Sequence, residues 1–124
     1  MKKLLALFLI LAIVFTFAAC AGDTGETTAA VTTKGDGTYE IALVTDVGNI
    51  DDKSFNQASW EGVVEYATAN NVSHAYYRPS EDSNDARVES IKAAIAKGAK
   101  VVVLPGYLFA DAAAAVMNEY TDVT

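Results

Sequence analysis

The chain of 124 residues has one cysteine, one histidine and two prolines, and its basic residues are few. A single cysteine cannot form an internal disulfide, and no cluster of histidines and cysteines exists to hold a metal ion. Lysine and arginine number 9 against 16 acidic residues, for a net charge of -7. Nucleic-acid-binding proteins present a basic stripe to the phosphates, and this sequence has none. A disulfide scaffold, a histidine and cysteine metal site and a nucleic-acid-binding surface are therefore excluded.

The N-terminus has the pattern of a secretory signal. Two lysines follow Met1, and an uncharged apolar run then extends from Leu4 to Ala19. A membrane-spanning helix needs about 20 apolar residues, so an uncleaved span is the alternative interpretation. The pattern favours a cleaved signal because small residues directly follow the apolar run. Without Lys2 and Lys3 the chain has 7 basic and 16 acidic residues, a net charge of -9.

The cysteine lies directly after the apolar run, and Phe17 to Cys20 resembles the lipobox of bacterial lipoproteins. In such proteins the cysteine carries a diacylglyceryl group and becomes the new N-terminus. Residues 21–38 are rich in threonine and glycine, and they have too few large apolar side chains to fold. We therefore predict a signal peptide (1–20), a flexible tether (21–38) and a domain (39–124) held at the extracytoplasmic face of the cell membrane by lipid on Cys20.

From Tyr39 onward, short branched apolar runs alternate with helical patterns. Strands separated by helices of this length form right-handed crossovers in a parallel sheet. The fold class is therefore α/β, with a doubly wound parallel sheet. The pattern calls for a fourth strand at the end of the chain, so the domain is expected to be truncated. The predicted strands are 39–46, 72–78 and 100–104, and the predicted helices are 54–69, 84–97 and 109–120.

Local signals define the helix ends. Ser54 and Gln57 have the spacing of a capping box at the start of the first helix. The pair Asn70 and Asn71 ends that helix and Gly98 ends the second, and both residue types favour the left-handed conformation that ends a helix. The expected buried side of the first helix contains Ala58, Val63, Tyr66 and Ala67.

In a doubly wound sheet, ligands bind at the carboxyl edge, where the loops after the strands gather. Those loops are 46–53, 79–83 and 105–109, so Asp46, Phe55 and Asn56 lie at the expected binding edge. An aromatic ring, an amide and a carboxylate suit a flat ligand with donors and acceptors along its edge. Other roles remain open: Phe55 as a buried residue of the first helical turn, and Asp46 as an acceptor from loop amides.

Four further residues are expected to be structural. Asp51 and Asp52 precede the first helix, where negative charge complements the partial positive charge of the helix N-terminus. Trp60 is expected in the core, and His74 is expected to have a structural or exposed place in a strand.

The segment ALVTDVGNIDDKSFNQASWEG, residues 42–62, resembles the N-terminal signature of the basic membrane protein family, and the resemblance extends to LPGYLFADA, residues 104–112. Members are lipoproteins that serve as substrate-binding subunits of ABC importers, many of them for purine nucleosides. The resemblance implies a type I periplasmic-binding-protein-like fold with two lobes, of which this chain contains part of the N-terminal lobe. It also implies permease and ATPase partners, a monomer, no cofactor, no metal and no enzymatic activity.

For individual residues, the resemblance implies that Phe55 stacks on the base, that Asn56 makes a polar contact to it, and that Asp46 accepts from its N–H groups. Gly106 and Tyr107 are expected to border the pocket. The family's remaining ligand contacts would lie beyond Thr124.

Two other protein classes are less consistent with the sequence. A phosphorelay receiver needs an aspartate at the end of the third strand, where Leu104 and Pro105 stand. A hydrolase could use Asp46 as nucleophile or metal ligand, but no second catalytic group is placed by a motif. A calcium loop would need a glutamate where Gln57 stands. Among binding proteins, those for sugars and for other flat heterocycles such as riboflavin remain alternatives.

Overall fold

The computed structural model describes residues 39–124, so the predicted signal peptide, Cys20 and the tether lie outside the described residues. Three parallel strands form one sheet: β1 (Ile41–Val44), β2 (His74–Tyr77) and β3 (Val101–Val103), in the order β2-β1-β3. Ile41 lies opposite His74 on one side and Val101 on the other. The predicted parallel α/β arrangement is confirmed, and the strand order matches the start of a doubly wound sheet.

The strands alternate with helices α1 (Phe55–Asn70), α2 (Asn84–Ala96) and α3 (Ala110–Val116). A short 3-10 turn, Tyr107–Phe109, leads into α3. Each strand is one or two residues shorter at either end than predicted. Helix α3 also ends earlier than predicted: beyond Val116 the backbone closes tighter turns, with Glu119 N donating to Val116 O at 2.9 Å.

The sheet is covered on both faces, which makes it doubly wound. Successive strand residues point to opposite faces, so one strand serves two cores. On one face, Leu43 and Tyr76 pack against Trp60 and Val63 of α1. On the other face, Val44 and Tyr77 belong to a cluster with residues of α2 and α3, which includes Ile91, Ala94, Phe109, Ala112 and Val116. All four residues of β1 are buried, as expected of a central strand.

The buried face of α1 differs from the predicted one. Val63 and Ala67 are buried as expected, but Ala58 is exposed and Tyr66 is 57% exposed. The apolar face is rotated because Trp60, with its large ring, takes the central place against Tyr76, at 5.2 Å between ring centroids. The buried residues of α1 are Asn56, Trp60, Val63 and Ala67.

The ends of the first two helices are as predicted, but the predicted capping box is wrong. Asn71 and Gly98 have positive φ angles of 53° and 98°, so each ends its helix in the left-handed region. At the start of α1, the Ser54 side chain caps nothing, because a carboxylate already accepts from the amide of Gln57 that it would cap. Asp52 Oδ1 accepts from Ser54 N at 2.8 Å and from Gln57 N at 3.3 Å.

The outer edge of β3 is paired at one position. Thr124 N donates to Lys100 O at 2.9 Å, and Val102 N donates to Thr124 O at 2.7 Å. These two bonds are the pattern of a parallel bridge opposite Val101. Thr124 thus lies beside the outer edge of β3, and the sheet of residues 39–124 has three strands. Between residues 39 and 124, no helix is both long and apolar enough to cross a membrane.

Candidate functional site

The five residues predicted at the site all lie at the carboxyl edge of the sheet. Asp46 follows β1 by two positions, and Phe55 and Asn56 are the first two residues of α1. Gly106 and Tyr107 lie where β3 leads into the 3-10 turn. Because parallel strands all end on the same side of a sheet, the loops after β1 and β3 bring these residues to a common edge.

Asp46 and Asn56 are joined by two hydrogen bonds. Asn56 Nδ2 donates to Asp46 Oδ1 at 2.7 Å, and Asp46 N donates to Asn56 Oδ1 at 3.4 Å. Gly48 N donates to the same Asp46 oxygen at 2.8 Å. Asp46 Oδ1 is therefore held in place, while Oδ2 accepts no hydrogen bond from any residue between 39 and 124. The free oxygen is the available acceptor at this edge of the sheet.

Asn56 is 2% exposed, and its second amide hydrogen is donated to Asp52 Oδ2 at 2.9 Å. Both amide hydrogens and the amide oxygen are thus bonded within the protein. A direct contact of Asn56 with a ligand stays a prediction, and its amide oxygen is the atom with acceptor capacity left for it. What the structure shows is a bridge between two carboxylates, which we call the Asp46–Asn56–Asp52 clamp.

Gly48 lies against this clamp so closely that no side chain fits. A Cβ atom at this position would lie 2.6 Å from Asn56 Nδ2, 2.8 Å from Asp52 Oδ2 and 3.2 Å from Asp46 Oδ1. The first two distances are well inside van der Waals contact, so the loop after β1 can close over the clamp only with glycine here. Sequence reasoning missed this role of Gly48, since the atoms it meets come from three positions along the chain.

The aromatic residues of the site are exposed. Phe55 is 78% exposed and Tyr107 is 88% exposed, while Val47 and Leu108 beside them are also partly open to solvent. The alternative of Phe55 as a buried residue of the first turn is therefore wrong. Gly106 has φ 101° and ψ 167°, a conformation that favours glycine and directs the chain from β3 into the exposed Tyr107.

The electrostatics of the clamp favour an ionised carboxylate at Asp52. Partial loss of hydration raises the pKa of Asp52, but hydrogen bonds from Ser54 N–H, the Asn56 amide and Gln57 N–H outweigh it and hold the pKa below its ordinary value. Asp51, the adjacent acidic residue, makes no hydrogen bond within residues 39–124. Of the two aspartates predicted to complement the helix N-terminus, Asp52 does so by direct hydrogen bonds.

The predictions for Trp60 and His74 are confirmed. Trp60 and His74 are buried and lie 5.4 Å apart between ring centroids. His74 is the first residue of β2, at the edge of the sheet opposite to Asp46, so it cannot serve as a base for that carboxylate. Within residues 39–124, no group of three or more histidine, cysteine, aspartate or glutamate side chains is placed to hold a metal ion.

Comparison with known proteins identifies the family. The family model described as ABC transporter substrate-binding protein PnrA-like, named Bmp, matches residues 39–124. The CD4+ T-cell-stimulating antigen of Listeria innocua is 37% identical over 68 residues, which cover 55% of this chain and 19% of that protein. The protein of the same name from Listeria monocytogenes is 47% identical over 34 residues, 27% of this chain and 10% of that protein. The chain thus matches about a fifth or less of the length of these relatives, and it belongs to the Bmp family of PnrA-like ABC transporter substrate-binding proteins.

Proposed function

We propose that this protein is a lipid-anchored, extracytoplasmic substrate-binding protein of an ABC importer, and that the carboxyl edge of its sheet binds purine nucleosides. The observation that carries the proposal is the exposed ring of Phe55 at the same sheet edge as Asp46, whose carboxylate is held at one oxygen by Asn56, the residue after Phe55. A purine offers a flat face to the first and N–H groups to the second.

Phe55 and Asp46 would contribute different terms to the binding free energy. Stacking of a base on an aromatic ring contributes about 1–3 kcal/mol, and this term is assigned to Phe55. A hydrogen bond from a base N–H to a charged acceptor contributes about 1.5–3 kcal/mol, and this term is assigned to Asp46 Oδ2. Since Asp46 Oδ1 is already held by Asn56 and Gly48, little ordering entropy is lost when the ligand binds. Gly106 and Tyr107 form the rim on the side of β3.

These two terms together are smaller than a typical binding free energy. Micromolar affinity corresponds to about 8 kcal/mol, and association itself costs several more. We therefore propose that a second surface closes over this edge, as in the two-lobed fold that the family resemblance implies. The ligand would lie between that surface and the ring of Phe55.

The proposed anchoring and partners rest on the N-terminal sequence and on the family. The signal pattern of residues 1–20, with lipidation at Cys20, would place the protein at the outer face of the cell membrane. A tether of residues 21–38 would let the domain move between ligand capture and delivery. We propose that it acts as a monomer and delivers its ligand to the permease and ATPase subunits of the importer.

Binding is favoured over catalysis by the surroundings of Asp46. A nucleophilic carboxylate needs a proton-transfer partner, and the only histidine lies at the opposite edge of the sheet. A flat heterocycle such as riboflavin remains the alternative ligand, because the exposed ring of Phe55 would stack on it equally well.

The test is isothermal titration calorimetry of the full-length protein, as its gene encodes it, with guanosine, inosine, adenosine, riboflavin, ribose and xylose. We expect purine nucleosides to bind with micromolar or tighter affinity and the pentoses to give no heat. Tight binding of a pentose without any response to nucleosides would overturn the proposal. If riboflavin alone bound tightly, the stacking role of Phe55 would stand, but the ligand would be a flavin and not a purine nucleoside.

A further inference from the structure

The clamp contains one residue to which neither the family resemblance nor the proposed function assigns a part in binding. We propose that Asp52 is a positioning residue of the binding site, which acts through Asn56 to orient the carboxylate of Asp46. This inference rests on the proposed function, since Asp46 is the group that would meet the ligand. It goes beyond the expected role of Asp52, which was to complement the helix N-terminus.

The two oxygens of Asp52 have different tasks. Oδ1 accepts from the backbone of Ser54 and Gln57, on either side of the exposed ring at position 55. Oδ2 accepts from Asn56 Nδ2 at 2.9 Å. One carboxylate therefore fixes both the backbone that carries the stacking ring and the amide that holds Asp46.

The orientation of the Asn56 amide follows from its three partners. Its nitrogen lies between two carboxylates, and its oxygen accepts from Asp46 N. Asn56 is almost fully buried, so bulk water could not accept from an amide hydrogen that lost its partner. Asp52 provides the acceptor for the second hydrogen, and thereby stabilises the one orientation in which the first hydrogen points to Asp46.

The clamp has no room to rearrange. The Cα of Gly48 lies over it so closely that even a methyl group would come within 2.8 Å of Asp52 Oδ2. A shift of Asp52 would therefore be transmitted to Asn56 and to the loop that carries Gly48, which also donates to Asp46. The three residues of the clamp, Asp46, Asn56 and Asp52, are expected to move as a unit.

The informative substitution is Asp52→Asn, which keeps the shape of the side chain. The asparagine oxygen can still cap α1, but its amide nitrogen then faces the Asn56 nitrogen, donor against donor. Turning the new amide removes the helix cap, and turning Asn56 places its oxygen against the Asp46 carboxylate. Every arrangement loses one bond of the clamp, so the orientation of Asp46 is no longer defined.

The experiment measures nucleoside affinity by calorimetry, together with NMR signals of the Asn56 side-chain amide and the Gly48 backbone amide, in the full-length protein. For Asp52→Asn we expect a loss of affinity of about tenfold, which corresponds to one hydrogen bond to a charged group. Both NMR signals should move, while the circular dichroism spectrum stays that of the wild type. Asp51→Asn is the matched control, with the same charge change one residue away, and should change neither affinity nor signals.

The outcomes separate this inference from the proposed function. If wild-type protein binds nucleosides and Asp52→Asn binds them as tightly, or loses no more than Asp51→Asn, the positioning role is overturned. If wild-type protein binds none of the ligands tested, the proposed function fails, and the NMR signals alone decide: movement in Asp52→Asn but not in Asp51→Asn supports the clamp, and no movement overturns it. Should Asp52→Asn fail to fold, Asp52→Ser makes the same test, because its hydroxyl can accept from Ser54 N but is too short to reach Asn56.

Discussion

Phe55 exposes most of a large apolar ring at the first position of α1, and it belongs to neither of the two hydrophobic clusters within residues 39–124. We expect Phe55→Ala to weaken nucleoside binding tenfold or more, because the stacking term is lost. The free energy of unfolding should stay the same, since the ring is not packed. Calorimetry and urea unfolding measure the two quantities.

The control for this substitution is Tyr66→Ala, which removes another exposed ring from the same helix but away from the carboxyl edge. It should leave nucleoside affinity unchanged. Equal affinity of wild type and Phe55→Ala, with an intact fold, would exclude the ring as the platform.

Gly48 and Gly62 differ in the space around them, and they should respond to alanine in opposite ways. At Gly48 a methyl group would collide with the clamp, and we expect Gly48→Ala to lower the free energy of unfolding by about 1–3 kcal/mol. At Gly62, within α1, no atom lies within 4 Å of the new methyl group, so Gly62→Ala should stabilise the helix by about 0.5–1 kcal/mol. Urea unfolding of both variants checks the signs. A neutral Gly48→Ala would mean that the loop after β1 is free to move.

The lowered pKa of Asp52 should make the stability of the protein depend on pH. Loss of hydration raises the pKa of Asp52, but its hydrogen bonds, among them those from Ser54, Asn56 and Gln57, lower it by more, so that the folded pKa lies below the ordinary value of 3.8. The stabilisation by Asp52 is therefore complete above that value and is lost as the pH falls through the lower, folded pKa. In urea unfolding from pH 7 down to pH 3, Asp52→Asn should be less stable than wild type at neutral pH, and the difference should shrink below about pH 4. A difference that stays constant with pH would contradict the assignment.

At the scale of elements, the start of α1 shows where local patterns succeed and where they fail. The helix begins within one residue of the predicted start. The cap was predicted wrongly because two residues competed for the same amides. Charge decided the outcome: a carboxylate accepts from N–H groups more strongly than a hydroxyl does.

The capping difference can be measured. Since the Ser54 hydroxyl caps nothing, Ser54→Ala should change the free energy of unfolding by less than about 0.5 kcal/mol. Asp52→Ala, which removes the true cap, should destabilise the protein more than Ser54→Ala does. Helicity by circular dichroism and urea unfolding compare the two variants. The reverse order of stabilities would restore the capping box.

At the scale of the whole molecule, the anchor is the feature to test. We expect the wild-type protein in its native host to partition with membranes, and Cys20→Ser to be released or to retain its signal peptide, because no thiol remains for lipid attachment. Cell fractionation and the mass of the N-terminal peptide measure both properties. Release of the wild-type protein, or membrane association of Cys20→Ser equal to wild type, would exclude the lipid anchor.

The sequence by itself determined the parallel α/β fold, the position of the strands and helices and the residues that end α1 and α2. These features depend on neighbours along the chain: branched apolar runs favour buried strands, and Asn71 and Gly98 adopt the left-handed conformation at low cost. The sequence also placed Asp46, Phe55 and Asn56 at one edge of the sheet, since all strands of a parallel sheet end on the same side.

Only the tertiary structure decided what those residues do there. Asn56 donates to Asp46, ten positions earlier, and to Asp52, four positions earlier, and no periodicity encodes that choice of partners. The sequence also did not decide whether Phe55 is exposed, because the first residue of a helix can face either the core or the solvent. The burial of Trp60 and Asn56 fixes the rotation of α1 about its axis. In that rotation the ring of Trp60 packs against the sheet, and the ring of Phe55 faces the solvent.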